Sequence, residues 1–487
     1  MKRLVCILLC VVLTLSLVAC GGGQNPDTPD VGDSDSGSGS ISKPWWKTTG
    51  ELTMDGENVV FDNVNLSLMT VVNGADYTAL KEIINQFNAE YKGKIRIDVR
   101  NTTQEKFVNN VTTAVAQNQN PADILMSHQN ALQALATEYQ CIQPFNEAME
   151  KSGINISLSD YADDLAKYAD LGYEGYTFGI PVDAQSMIVL YNKELLGDNA
   201  LPTNHAEAVA LCQKLKNQSV TPIVWPAGEE TETNFFAEYI WPTALLQNGA
   251  TLYDASGASV SWGEGENATA FQNAITSIRD FQNAGASLND GKTKATNQFV
   301  TGKAAFFVYE PWLVNNVIKS FAEKKGITVE ECMENYIGAT SIANWFAMDP
   351  NSASADAIFG DSHFFAMSKS VQTIEKKAAI LEFAKWFTTN VQTGVEWAKA
   401  GHVTASKVVG ADVAYTGDAF IANYTTKFYP DINKISCAGN TVYYEQIFNE
   451  LSNLFILLRD SDGTNDASYI EKSAKAVNDI IAALQAM

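Results

Sequence analysis

Apolar residues in this chain fall at two spacings, and the spacing switches repeatedly between them. From Asn65, the positions Leu66, Leu68, Thr70 and Val72 alternate, which predicts a strand. Leu80, Ile83, Ile84, Phe87 and Tyr91 then recur at helical intervals, and Ile95, Ile97 and Val99 alternate again. This is a β-α-β unit, and the parallel pairing it implies puts a ligand-binding edge at the loop from Val72 to Tyr77. A helix from about Gln104 to Gln117 and a strand from Ala122 to Met126 follow. Ser186 to Tyr191 is an apolar run rich in strand formers, and helical spacing returns at Ala206 to Leu215, Ala268 to Asn283, Lys376 to Thr389 and Tyr469 to Leu484. Strands and helices alternate without a fixed-period repeat, so the class is α/β. Ahead of this body, Trp45 and Trp46 precede a small hairpin expected from Glu51 to Met54 with Asn58 to Asp62.

The N-terminus has a different pattern. Lys2 and Arg3 precede an apolar run from Leu4 to Leu17, shorter than the ~20 residues a spanning helix needs and followed by small residues, so residues 1–19 read as a secretory signal. Leu17-Val18-Ala19-Cys20 resembles a bacterial lipobox, which implies cleavage before Cys20 and lipid on its sulfur. An ordinary signal peptide is the competing reading. Residues 20–42, mostly Gly, Ser, Pro and Asp, read as a flexible linker, and 43–63 as an N-terminal extension.

At 487 residues the chain outgrows a single hydrophobic core, so at least two lobes are expected. A net charge of −23 repels phosphate backbones, which argues against nucleic acid as a partner. Of the seven cysteines, Cys6 and Cys10 lie in the signal and Cys20 at the lipid site. Cys141, Cys212, Cys332 and Cys437 are buried thiols or up to two disulfides. No Cys-x-x-Cys pair exists, and the four histidines, His128, His205, His363 and His402, are widely spread, so no metal or cofactor is expected. Nucleophile elbows, zinc-protease motifs and nucleotide loops are also missing from the sequence. Acidic pairs such as Asp163-Asp164 and Glu229-Glu230 suit glycoside hydrolysis in principle, but solvated acid runs explain them better, and the chain is read as a non-enzyme.

Several segments carry a resemblance. Phe87-Asn88 lies late in the first helix, Pro121 to Met126 forms a strand, and Gly172 to Pro181 is followed by Leu190-Tyr191-Asn192-Lys193. Phe299 to Phe307 runs on to Glu310-Pro311-Trp312, and Phe365 to Lys407 contains Ala384-Lys385-Trp386-Phe387. In this order they resemble the extracellular solute-binding proteins of ATP-driven sugar importers, the family similar to maltose-binding protein. The resemblance implies a two-lobed periplasmic-binding-protein-like fold with a hinge and interlobe cleft. It places lobe one at 64–182 with 340–400 and lobe two at 183–339 with 401–487. It implies a carbohydrate ligand, permease subunits of the transporter as partners, a monomer, and anchorage on the extracellular face of the cell membrane through Cys20. Two departures stand out: Ser127-His128 where relatives often place a tryptophan, and His402-Val403-Thr404 where Leu-Pro is usual.

Sugars are held by stacking on aromatic rings and by hydrogen bonds from hydroxyls to amides and carboxylates. The resemblance puts Trp312, Tyr239, Trp241 and Tyr443 forward as rings, each with core packing as the alternative; Trp397 and Trp386 read as core. Polar candidates are Asp183 and Gln185 at the hinge, Asn73 and Asp76 after the first strand, and Ser127, His128 and Asn130 after the third. Asp76 has helix capping as its alternative. The loop Gly360-Asp361-Ser362-His363 matches a cleft loop in which Gly360 lets the main chain approach the sugar, with His363 read as solvent-facing or structural rather than as a metal ligand. A receptor for a non-sugar solute and a surface glycan-processing enzyme remain alternatives.

Overall fold

A computed structural model describes residues 41, 44–228, 236–288, 290–427, 435–436 and 441–486. The signal segment, Cys20, the linker to residue 40, Glu229, Glu230 and Cys437 lie outside the described residues. The expected hairpin is present as β1 (Met54–Asp55) and β2 (Asn58–Val59). β3 (Val64–Thr70) leads into the helix Gly74–Glu90, and β4 (Ile95–Asn101) returns parallel to β3 along its whole length. After the helix Gln104–Ala116, β5 (Ile124–His128) joins the other side of β3 in parallel. β6 (Ile142–Gln143) and β7 (Gly179–Pro181) both pair with a strand from much later in the chain.

β8 (Asp183–Ala184) carries the chain away from this sheet. β9 (Ile188–Asn192), β10 (Thr221–Val224), β11 (Ala304–Tyr309) and β12 (Ile337–Thr340) form a second sheet in the order β10-β11-β9-β12. The chain does not return directly after β12. Gln247 donates to the carbonyls of Ile342 and Ala357, both at 3.1 Å, and accepts from the Phe346 amide at 2.8 Å. The segment between is thereby held on the second sheet's core, and the return expected near residue 340 comes after β13 (Ile358–Phe359). β14 (His363–Ser368) then completes a six-stranded sheet, β4-β3-β5-β14-β6 with β7 also on β14. Helices Ile374–Thr389 and Val391–Lys399 lead to β15 (Val403–Thr404), which pairs antiparallel with β8. β16 (Ile435–Ser436) pairs with β13, and helices Tyr444–Arg459 and Asp466–Gln485 follow.

Alternation sorts each strand between two cores. Leu68, Met126 and Phe365 pack with Leu80, Ile83 and Phe87, whereas Met69, Leu125 and Phe364 pack with Phe107, Val111 and Leu132. In the second sheet Leu190, Val224 and Phe307 join the first of these clusters, and Val189, Ile223 and Phe306 pack with Trp225, Trp241 and Trp262. Val409, Tyr415 and Ile421 pack on Val395 and Ala398, so the segment after Gly401 lies against the helix before it rather than with the second sheet. Cys141, Cys212 and Cys332 are free and buried. Among the described residues no helix is long and apolar enough to cross a membrane.

Two crossings between the sheets, at β8 and at residues 360–362, lie side by side with β15, the segment that precedes the third. β8 pairs with β15, and Gln185 bridges to Asp361 through main-chain hydrogen bonds of 2.9 and 2.8 Å.

Candidate functional site

Asp183 stands at the centre of these crossings and is fully buried. Its Oδ1 accepts the main-chain N–H of His363 at 2.9 Å, and its Oδ2 accepts the indole N–H of Trp397 at 2.8 Å. Nδ1 of His363 lies 3.0 Å from Oδ2 and Nδ1 of His402 lies 3.3 Å from the same atom. Nε2 of His402 faces the Asp76 carboxylate at 3.4 Å, and the imidazole stacks on Trp397 with ring centres 4.1 Å apart. Ser362 Oγ donates to the Asp183 carbonyl at 2.6 Å.

A carboxylate buried this deeply persists only beside compensating charge. Burial pushes Asp183 up, but the imidazoles of His363 and His402 outweigh it and hold the carboxyl well below its usual range. Burial pulls His402 down, yet the carboxylates of Asp183 and Asp76 outweigh it and raise the imidazole to about 9. For His363 burial prevails over Asp183, and its pKa is lowered. The cluster thus favours an Asp183 carboxylate, a cationic His402 and a neutral His363.

A second set of groups adjoins the first. His128, at the end of β5, pairs through Nδ1 with the Asp361 carboxylate. Burial lowers His128, but Asp361, with smaller contributions from Asp183 and Glu238, raises it overall. Glu238, in the helical turn Phe236–Ile240, is pushed up to about 7 by burial; His128 opposes this, while Asp361, Glu310 and Glu105 reinforce it. Glu310 is paired with Lys292 at 2.9 Å. Tyr239 is buried edge-on against Phe359, with ring centres 6.2 Å apart, and burial raises its phenol well above the usual value. Trp312, half-buried in the turn Pro311–Leu313, lies near-parallel to His402 at 12° and 6.3 Å. Gly401 adopts φ +99°, and a Cβ there would stand 2.4 Å from the Trp312 Cα. That approach brings the segment before β15 against the strand-to-helix turn of the second sheet.

First-turn residues Asp76 and Glu105, His128 at the end of β5, Asp361 and His402 beside the crossings, and the second sheet's turns (Glu238, Tyr239, Glu310, Trp312) therefore converge. The set combines rings with carboxylates. Of the other expected residues, Gln185 is buried and engages Asp361 through its main chain. Asn73 is exposed at the start of the helix Gly74–Glu90, and Tyr443 is half-buried on the second core beside Tyr444, which stacks on Phe448 at 4.3 Å. The Ser127 hydroxyl and Asn130 Oδ1 are buried without a hydrogen-bond partner. Asp76 lies in the first turn of its helix, where Oδ1 accepts the Tyr77 amide at 3.1 Å while Oδ2 turns to His402.

Three expectations need correction. Trp241 is fully buried against Phe271 and Phe455, so helical packing and not the cleft claims its ring. His363 does not face solvent; it is 3 % exposed. At Gly360 the missing side chain makes room for Gln185 O, which a Cβ would meet at 2.6 Å, so the close approach there is between crossings. The histidines that sequence distance seemed to scatter also gather: ring centres of His128 and His363 are 4.7 Å apart, and those of His363 and His402 5.4 Å. Trp397, His402, Glu238 and the Lys292–Glu310 pair were not among the expected site residues. His402 alone left a signal, as a histidine standing where relatives carry Leu-Pro.

The family model of the bacterial extracellular solute-binding proteins matches residues 72–394. Among solved structures, the sugar-binding protein MalE from the phytopathogen Xanthomonas citri is similar, with a TM-score of 0.67 at 17% identity over 87% of this chain and 98% of that one. The cyclic alpha-maltosyl-1,6-maltose binding protein from Arthrobacter globiformis gives 0.65 at 16% identity over 86% and 99%. Maltose-bound MalE3 of T. maritima gives 0.64 at 16% identity over 85% and 99%. In sequence, no curated protein matches the chain. At these identities the likeness establishes the two-lobed α/β fold.

Proposed function

The chain belongs to the bacterial extracellular solute-binding proteins, and from that premise we propose that it is a lipid-anchored receptor that traps a carbohydrate between its lobes and delivers it to the permease of an ATP-driven importer. The observation that carries this reading is the convergence of Trp312 and Tyr239 with Glu238, Asp361 and His128 beside the crossings. Rings offer platforms for the apolar faces of a sugar, and carboxylates accept its hydroxyl hydrogen bonds. A ligand that touches both lobes only in the closed form drives closure through those differential contacts. On this reading the receptor works as a monomer without catalysis, tethered to the outer membrane face through Cys20 and a flexible linker, with lobes divided near the three crossings.

A non-sugar, cationic solute is a second reading, favoured by the number of carboxylates around Glu238. Thermal shift against a panel of oligosaccharides, amino sugars and polyamines separates the two. A true ligand at 100 times its Kd adds about 2.7 kcal/mol. Trp312→Ala is expected to abolish the shift with an oligosaccharide while leaving the ligand-free Tm within a few degrees of the parent. A panel with no responder, or released product from labelled glycans, would overturn the receptor reading.

A further inference from the structure

β8, the start of β14 and the residue before β15 bring together Asp183, His363 and His402, each nine-tenths or more buried, with one donor atom from each within 4.8 Å of the others. We propose that these three residues form a binding site for a divalent first-row transition ion, zinc in the first instance, at the hinge itself. The site adjoins the ring-and-carboxylate cleft and shares His402 and Asp76 with it, and the proposal does not depend on the ligand being a sugar.

Geometry argues for it first. Zinc bonds to nitrogen and oxygen of about 2.0–2.2 Å in a tetrahedron put ligand atoms about 3.3–3.5 Å apart. Asp183 Oδ2 lies 3.0 Å from Nδ1 of His363 and 3.3 Å from Nδ1 of His402, close to those edges. The donor atoms aim inward: Nδ1 of His402 is buried and makes no hydrogen bond, although the rest of its ring is fixed by stacking on Trp397.

Outer contacts match what a metal centre requires. An imidazole that ligates through one nitrogen needs its other N–H directed at a carboxylate or carbonyl. Nε2 of His402 faces Asp76 at 3.4 Å. The Asp183 carboxylate is oriented by the His363 amide on Oδ1 and the Trp397 indole on Oδ2; the remaining position on Oδ2 faces Nδ1 of His363 at 3.0 Å, and an ion there would replace that hydrogen bond. Two imidazoles and one carboxylate select zinc, nickel, copper or iron over magnesium or calcium, which take all-oxygen sets. A divalent ion bound here would displace the proton from His402 and take its place as the positive charge between the Asp183 and Asp76 side chains.

Because the ligands come from three segments far apart in the chain that meet beside the crossings, a bound ion would cross-link them into one pivot. Purified protein stripped with a chelator and titrated with zinc chloride is expected to take up one equivalent with a rise in Tm. Cobalt(II) in its place should give the intense visible bands of a four-coordinate ion. His402→Gln and Asp183→Asn should each weaken uptake at least tenfold, whereas His205→Gln, changed outside the cluster, should keep it. Folding of each variant is checked by circular dichroism, and if one fails to fold, the cobalt spectrum of the parent decides. No stoichiometric uptake by the parent, six-coordinate cobalt bands, or uptake unchanged in a folded His402→Gln would overturn the proposal.

Discussion

Glu238 shows how one side chain can carry the cleft's chemistry without a motif to announce it. Burial and the carboxylates of Asp361, Glu310 and Glu105 lift it to about 7, and His128 opposes them only in part. An unfolded chain releases the same proton near the ordinary glutamate value, so between the two values the folded state holds a proton the unfolded state lacks. The stability tied to that proton is fully present below the unfolded value and is lost as pH rises through 7. Each tenfold difference in proton affinity between the two states is worth about 1.4 kcal/mol. In urea unfolding, the parent should therefore lose up to about 3 kcal/mol more than Glu238→Gln between pH 5 and pH 8. Superimposable profiles for the two proteins would show that the carboxyl is not held in this way. Nothing in the sequence separated Glu238 from the other acids of the chain, since its environment comes from His128, Asp361 and Glu310, all distant along the chain. Trp397 was hidden in the opposite manner: its helical spacing correctly marked it as buried but was silent on its indole N–H, which binds Asp183.

Elements were far more legible than their meeting points. Alternation at Leu66, Leu68 and Thr70 and helical spacing from Leu80 to Phe87 encode local structure directly, and β3 and its helix form as expected, with parallel pairing to β4. The return from the second sheet was misplaced because Gln247 holds residues near 346 through hydrogen bonds that no periodicity reports. Contacts between elements have testable consequences of their own. Gly401 combines a positive φ with a Cβ position 2.4 Å from the Trp312 main chain, whereas Gly326 has φ +74° and open space around it. Gly326→Ala should cost only the left-handed backbone penalty, about 1–2 kcal/mol. Gly401→Ala must also push the Pro311–Leu313 turn away and should cost roughly 3–4 kcal/mol, with weaker ligand binding because Trp312 moves with that turn. Equal losses in Tm for the two variants would mean that the crossing and the turn separate easily.

For the molecule as a whole, the question is which body the N-terminal extension is fixed to. The extension is bound to the six-stranded sheet's side at several points. Trp45 donates to the Ile142 carbonyl at 2.8 Å and stacks on Phe178 with ring centres 5.9 Å apart, while Trp46 lies edge-on to the same ring at 6.1 Å. Thr49 exchanges main-chain hydrogen bonds with Gln372 and Ile374, and the buried Lys377 ammonium donates to Lys47 O at 3.0 Å and Thr48 Oγ1 at 2.7 Å. Burial pulls Lys377 down to about 8, only partly offset by Glu147, so it is kept in place by those hydrogen bonds more than by charge. The extension from residue 44 is thereby fixed to the first body, and on the proposed function closure would swing the second body toward it about the crossings. Trp45→Ala with Trp46→Ala removes two half-buried indoles and should lower stability by about 2–4 kcal/mol. Hydrogen exchange should quicken in residues 44–50 and along the chain from Ile142 to Phe178. Affinity for the ligand should stay within about twofold, because neither ring reaches the cleft residues. An affinity loss of tenfold or more, with protection of the first sheet retained, would instead tie the extension to the opening and closing of the lobes.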